Sequence, residues 1–210
     1  MDIIKLVVGP LKTNCYILYS YVDDNIGKEG IVVDPGGDCG KIKKVISQYN
    51  IKIKLILNTH IHEDHTFCNN GFKRVFGCRV CVGKGSLTGK NKRIKEEYIF
   101  VGEGESIKIG KSSLKILETP GHCKGSLSLI EIKRKFIICG DLIFKDGVGR
   151  TDLAGGNVKS LISSIKRIML FPNDFLILPG HGEPFTIGEW KYNNYNAFLK
   201  MSKDESILGF

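Results

Sequence analysis

The five histidines of this 210-residue chain fall into three short segments, and this distribution constrains the fold more than any other feature. Three of them lie in residues 60–65, HIHEDH, and the other two, His122 and His181, each follow a Pro-Gly pair. Asp141 ends an apolar run between those two segments. Imidazole and carboxylate groups together are typical ligands of zinc, iron and manganese. The sequence therefore predicts a metal site that the fold assembles from distant parts of the chain.

Two ions explain the crowding of these ligands better than one. The four potential ligands in residues 60–65 cannot all reach a single ion without strain, so we expect two ions about 3.5–4 Å apart. Zinc is the most consistent choice, and iron and manganese remain open. A closed structural zinc site fits poorly, because such sites favour cysteine ligands. One ion is predicted to be bound by His60, His62 and His122, the other by Asp64, His65 and His181, with Asp141 bridging them.

Composition favours one globular domain over residues 1–210, with 42% hydrophobic and 25% charged residues. The net charge of +9 comes from lysines spread along the chain, so it does not by itself indicate a nucleic-acid partner. No apolar run is long enough to span a membrane, and the N-terminus does not fit a signal peptide. The seven cysteines are odd in number and scattered, which predicts free thiols and a cytoplasmic location.

The hydrophobic pattern predicts short strands in two runs, each run accompanied by helices. A helix is expected after Asp38, as its cap, and further helices over 66–76, 157–170 and 189–198. Two mixed sheets packed face to face, with helices outside, would bury both sets of strands. The proposed ligands follow strands and should meet on loops at one edge. The predicted strands cover residues 3–8, 14–21, 30–34, 53–57, 79–82, 106–109, 114–118, 127–132, 136–139 and 175–178.

These motifs resemble those of the metallo-β-lactamase superfamily, in which the same ligands occur in the same order. The resemblance covers essentially the whole chain and implies an α/β fold, a four-layer αββα sandwich with a dinuclear site at one edge. Asp34, which ends a strand before Pro-Gly-Gly, matches the first motif of that family. Its residue type fits a turn former and equally an acceptor that holds the histidine loop.

Within the superfamily the chain is most similar to the short bacterial form of the glyoxalase II (hydroxyacylglutathione hydrolase) group. Residues 119–122 (TPGH), 149–152 (GRTD) and 179–182 (PGHG) carry this resemblance. It implies hydrolysis of S-lactoylglutathione or a related anionic hydroxyacyl thioester by a metal-bridging hydroxide, with Asp64 orienting that nucleophile. Arg150 matches a basic position near the glutathione carboxylate, and Tyr16 and Phe144 are candidates for the acyl pocket.

Two departures from the glyoxalase II pattern are present. Full-length enzymes of the group carry a C-terminal helical domain that helps to bind glutathione, and the short segment after His181 predicts that this domain is absent. That departure bears on glutathione recognition and leaves the hydrolytic chemistry unaffected. Cys123-Lys124 also follows His122 where the group usually has threonine, and we expect this position to affect the groups that surround the metal ligands.

Three other functions share the ligand pattern. Persulfide dioxygenases of the superfamily use one iron and usually carry Ala-His-Asp where this chain has Gly180-His181-Gly182, so the sequence favours the hydrolase. A nuclease would need an RNA-binding arm or an inserted domain, and no aromatic-basic stacking cluster is present. A lactonase or β-lactamase would use the same metals, and the motifs do not distinguish it.

Overall fold

The first of two six-stranded sheets is formed by strands that follow one another in chain order. The computed structural model describes residues 1–23, 27–86, 98–201 and 203. The first three strands pair antiparallel and the last three continue the sheet in parallel. The strands are β1 (Asp2–Val8), β2 (Thr13–Tyr21), β3 (Lys28–Val33), β4 (Ile51–Leu57), β5 (Arg79–Gly83) and β6 (Tyr98–Val101). Helices α1 (Cys39–Gln48), α2 (Glu63–Thr66) and α3 (Asn69–Phe76) lie in the connections between its parallel strands.

The second sheet has the spatial order β14-β13-β10-β9-β8-β7 and is also mixed, since β10 and β13 are parallel. Its strands are β7 (Ser106–Ile109), β8 (Ser112–Glu118), β9 (Leu127–Glu131), β10 (Phe136–Gly140), β13 (Leu176–Pro179) and β14 (Phe185–Thr186). A small hairpin, β11 (Ile143–Phe144) and β12 (Gly147–Val148), precedes α4 (Val158–Ile168), and α5 (Ile187–Met201) follows β14. Within the described residues, no helix is long and apolar enough to cross a membrane.

Three hydrophobic clusters fill the interfaces between four layers. The alternation of side chains along a strand produces them: Tyr16 and Leu18 of β2 face the second sheet, whereas Ile17 between them faces the helices. The middle cluster lies between the two sheets. The outer clusters pack α1 and α3 on the first sheet and α4 and α5 on the second. The predicted αββα sandwich is therefore confirmed.

Most predicted elements occur within one to three residues of their expected bounds. The predicted helix over 66–76 begins at Asn69 as α3, and a separate single turn, α2, precedes it. The predicted cap of α1 was wrong. Asp38 stands at the N-cap position with a left-handed backbone (φ 46°) and makes no capping hydrogen bond. Because its carboxylate accepts instead from the backbone N–H of Gly9 at 3.1 Å, it joins the β1–β2 turn to the start of the helix.

The expectation that every cysteine is a free thiol was wrong for one pair. Cys39 at the start of α1 and Cys68 just before α3 form a disulfide, with their Cα atoms 5.7 Å apart. The number of cysteines and their spacing in the sequence do not show which loops meet in the folded chain. The loops after β3 and β4 meet because those strands are parallel neighbours. The other five cysteines are free and buried.

We expect the disulfide to stabilise the protein by restricting its unfolded chain. It closes a loop of 29 residues, for which the chain-entropy relation gives about 3 to 4 kcal/mol. A reductant should therefore lower the melting temperature of the metal-free protein by roughly 10 °C. The Cys39→Ala/Cys68→Ala double variant controls for other effects of the reductant, and its melting temperature should not respond. An unchanged melting temperature of the reduced wild type would contradict this role.

Candidate metal centre

Every predicted metal ligand follows a strand, and the strands of both sheets deliver their ligands to one edge of the sandwich. The HIHEDH segment follows β4, and the single turn of α2 places Asp64 and His65 beside each other. His122 follows β8 and His181 follows β13, whereas Asp141 comes directly after β10. The structure thus brings together all seven residues that the sequence pattern singled out.

Among the described residues, three overlapping sets of donor atoms lie close enough together to hold an ion, and two of them are the predicted groups. The third set, His60, His65 and Asp141, takes one histidine from each group. In the first group, Nδ1 of His62 lies 3.1 Å from Nε2 of His60 and 2.9 Å from Nε2 of His122. In the second group, Oδ2 of Asp64 lies 3.6 Å from Nε2 of His65 and 3.3 Å from Nε2 of His181. Ligands at about 2.0–2.1 Å from a tetrahedral zinc ion are about 3.3 Å apart. Both groups therefore have the spacing that a bound ion requires.

Asp141 lies between the two groups. Its Oδ1 is 3.5 Å from Nε2 of His65, and its Oδ2 is 3.5 Å from Nε2 of His181 and 3.9 Å from Nε2 of His122. Oδ1 is buried and has no hydrogen-bond partner among the described residues, an arrangement that costs free energy unless a ligand fills it. Gly180 permits this approach, because a Cβ there would lie 2.1 Å from Oδ1. The donor set and the orphaned oxygen fit divalent ions.

Outer partners hold the histidine rings in the orientation that ligation needs. Nδ1 of His122 donates to the carbonyl oxygen of Arg150 at 2.8 Å, and Nδ1 of His181 donates to that of Leu11 at 3.0 Å. Nδ1 of His60 contacts Oγ1 of Thr59 at 3.1 Å. When Nδ1 carries the proton, Nε2 keeps its lone pair for a metal. These contacts therefore select the tautomers that point Nε2 into the centre.

Asp34 fixes the start of the histidine loop through hydrogen bonds to Thr59. Its buried carboxylate accepts hydrogen bonds from the backbone N–H of Thr59 at 2.8 Å and from the Thr59 hydroxyl at 2.6 Å. Oδ2 also lies 2.9 Å from Nδ1 of His65. The same residue has a left-handed backbone, and its carbonyl accepts from the N–H of Gly36 in a turn. The two roles that the sequence left open for Asp34 thus coexist.

The protonation equilibria of the metal-free centre differ from residue to residue. Burial and the neighbouring imidazoles hold the pKa of His60 well below its usual value, so this ring is neutral and ready to ligate. The hydrogen bond from His181 lowers the pKa of Asp64 to about 2. Burial opposes the charged form of His65, but the charge of Asp34 and other carboxylates outweighs it and raises the pKa to about 9. An ion must displace that proton, so metal affinity should fall as pH falls below about 9.

Three other predicted site residues have different surroundings. Arg150 donates from Nε and Nη2 to the carboxylate of Asp152 at 2.7 and 2.6 Å, and both side chains are exposed. A contact of Arg150 with substrate stays a prediction. The assignment of Tyr16 to an acyl pocket was wrong, because this side chain is fully buried between the sheets and its hydroxyl donates to the carbonyl of Pro179. Phe144 lies near the centre, with its ring 6.2 Å from that of His181.

The sequence missed several residues that support the ligands. The Thr13 hydroxyl donates to Oδ2 of Asp64 at 3.3 Å, and the buried Asn58 amide donates to the carbonyl of His65 at 2.9 Å. Thr59 adjoins the histidine segment and could have been suspected. Thr13 and Asn58 belong to no motif in the sequence, and only the folded chain shows which residues they contact.

The chain matches known proteins over nearly its whole length. The sequence profile of the metallo-β-lactamase superfamily matches residues 8–181. The chain belongs to this superfamily. It is 31% identical to hydroxyacylglutathione hydrolase GloC of Haemophilus influenzae over 92% of this chain and 97% of that protein. Its fold superimposes on BLEG-1 B3 metallo-β-lactamase with a TM-score of 0.79 at 28% identity, covering 92% of this chain and 99% of that one.

A second solved structure has the same fold at lower identity. ETHE1 from Myxococcus xanthus gives a TM-score of 0.79 at 22% identity, covering 98% of this chain and 91% of that one. Together with the His/Asp donor groups, family membership identifies the protein as a metal-dependent hydrolase of the metallo-β-lactamase superfamily.

Replacing Asp141 with alanine should lower the metal content from about two ions per chain to one or none, because its carboxylate lies beside both donor groups. Metal analysis after dialysis measures this content. Asp146→Ala is the matched control, since Asp146 is an exposed carboxylate in the β11–β12 hairpin and should leave the content unchanged. Two retained ions in Asp141→Ala would exclude a bridging role.

Proposed function

We propose that the protein hydrolyses hydroxyacyl thioesters of an anionic thiol, with S-lactoylglutathione as the representative substrate. The observation that carries the proposal is the pair of donor groups joined by Asp141. Similarity to a hydroxyacylglutathione hydrolase over 92% of the chain supports the substrate class. Zinc is the metal proposed for both groups, since three-ligand histidine and carboxylate sets with an open position are typical of catalytic zinc.

The chemistry of a thioester suits such a centre. Bound divalent ions supply water of lowered pKa and polarise a carbonyl oxygen. The imidazoles of the two donor groups and the carboxylates of Asp64 and Asp141 would hold these ions. Asp64 stays ionised over the physiological range, since its pKa is about 2. A thiolate is a good leaving group, so the mechanism requires no strong acid among the described residues.

Asp64 also has the contacts of a residue that orients the attacking water. Oδ2 accepts from the Thr13 hydroxyl at 3.3 Å and lies 3.3 Å from Nε2 of His181. These partners fix the carboxylate relative to both the second donor group and the β2 strand. A fixed carboxylate beside the centre can accept a hydrogen bond from water and direct its lone pair towards a bound carbonyl.

Two clefts adjoin the centre and give a substrate access to it. The Phe67 cleft has a volume of about 440 Å³ and includes Asp64; its lining is Gly9, Pro10, Leu11, Gly36, Gly37, Asp38, Glu63, Asp64 and Phe67. The Lys124 cleft has a volume of about 510 Å³ and includes His62; its lining is Ile61, His62, Gly85, Ser86, Cys123, Lys124, Leu153, Ala154 and Gly155. Each cleft thus meets one donor group, and a thioester lying across the centre would extend one arm into each.

The test is hydrolysis of S-D-lactoylglutathione by zinc-loaded protein. The wild type should turn the substrate over, and His181→Ala should lower kcat/KM by more than about 100-fold, because the second donor group loses a direct ligand. Asp146→Ala should retain the wild-type value. Absence of turnover in the wild type would refute the proposal. Oxygen consumption with glutathione persulfide by iron-loaded protein would then identify the dioxygenase alternative.

A further inference from the structure

The two clefts beside the metal centre differ in charge. The Phe67 cleft is lined by the carboxylates of Asp38, Glu63 and Asp64, and its apolar wall includes the exposed side chains of Leu11 and Phe67. None of the described residues that line it is a lysine or an arginine. Three carboxylates that line one cleft repel an anionic ligand. The Phe67 cleft therefore suits the uncharged acyl end of a thioester.

The Lys124 cleft has the opposite charge. Among the described residues that line it, Lys124 is the one with a permanently charged side chain, and no carboxylate accompanies it. Ile61 and Leu153 provide apolar surface, and Gly85 and Gly155 expose backbone. A carboxylate entering this cleft would meet a cation and no opposing charge.

Close packing fixes the backbone that carries Lys124. Gly125 has φ 74°, and a Cβ there would lie 2.1 Å from the backbone nitrogen of Ser86, so the turn packs directly on the end of β5. The Ser86 hydroxyl donates to the carbonyl of Gly125 at 3.2 Å, and the Ser126 hydroxyl donates to that of Cys123 at 3.0 Å. Because the backbone is already fixed, binding at this turn need not order the loop, and less conformational entropy is lost.

Lys124 is available to a ligand, whereas the nearby Arg150 is already paired. Two hydrogen bonds join the Arg150 guanidinium to Asp152. Lys124 is exposed and makes no ion pair or side-chain hydrogen bond with any residue that the structure describes. Binding a carboxylate at Arg150 would require competition with Asp152, and binding at Lys124 would not.

We propose that the Lys124 cleft binds the anionic thiol carrier of the substrate and that the Lys124 ammonium pairs with its carboxylate. The acyl end then points towards the Phe67 cleft, and the thioester carbonyl lies over the metal ligands between them. Lys124 is thus a specificity-determining residue for anionic carriers. This assignment rests on the proposed thioesterase function for its choice of ligand.

The test measures binding of S-hexylglutathione, a thioether that cannot be hydrolysed, to the zinc-loaded protein by calorimetry. Lys124→Met should raise Kd about fivefold, the upper range for an exposed ion pair, and Lys124→Arg should stay within about twofold of the wild type. The difference should shrink in about 0.5 M NaCl, because salt screens exposed charges. Lys133→Met, at an exposed lysine in the turn between β9 and β10, is the matched control and should leave Kd within about twofold of wild type. Arg150→Met tests the competing carboxylate site, and we expect it to raise Kd less than Lys124→Met does.

Kinetics with two thioesters provide the second measurement. Lys124→Met should raise KM for S-lactoylglutathione by the same factor with little change in kcat, and should leave KM for the uncharged S-lactoyl-N-acetylcysteamine unchanged. An equal Kd in Lys124→Met and wild type, a loss confined to Arg150→Met, or no binding of S-hexylglutathione would each overturn the assignment. Binding that depends on Lys124, without hydrolysis of any thioester, would support the Lys124 cleft as the binding site of the anionic carrier and would refute the proposed function instead.

Discussion

The contact between the buried Asp34 carboxylate and the histidine loop is the interaction on which the metal centre depends. Asp34 accepts from both the N–H and the hydroxyl of Thr59, and it lies 2.9 Å from the ring of His65. The Thr59 hydroxyl in turn contacts His60, so one carboxylate orients a ligand of each donor group. Because removing one partner of a buried charge pair typically costs about 3–5 kcal/mol, this network resists rearrangement when no ion is bound.

The sandwich brings the second half of the chain to the same place through β2. The N–H of Asn14 donates to the carbonyl of Gly180 at 2.7 Å, and its side-chain amide donates to the carbonyls of Pro179 and Gly182. Tyr16 on the same strand adds a hydrogen bond to Pro179. Four hydrogen bonds from one strand thus hold the loop that carries His181 against the first sheet. The two sheets are joined at the edge where the ligands must meet, which preorganises the centre.

The sequence could predict which histidines and aspartates meet at one edge, because metal chemistry restricts ligands to few residue types in fixed local patterns. It could predict the sandwich because buried strands and amphipathic helices leave a strong periodicity, as in the apolar stripe of α4. Contacts that depend on which loops meet left no such signal. The Cys39–Cys68 disulfide and the burial of Tyr16 belong to this class. For Arg150 the sequence predicted a substrate contact of the side chain. The structure shows that the backbone carbonyl of this residue accepts a hydrogen bond from His122 and orients its ring.

Asp141 is proposed to join two neighbouring metal sites, one on each donor group. Anomalous diffraction at the zinc edge from crystals of the zinc-loaded protein tests this role. We expect two peaks about 3.5–4 Å apart, one bonded to His60, His62 and His122 and the other to Asp64, His65 and His181, with Asp141 bonded to both. A single fully occupied peak, or two peaks of which only one contacts Asp141, would contradict it.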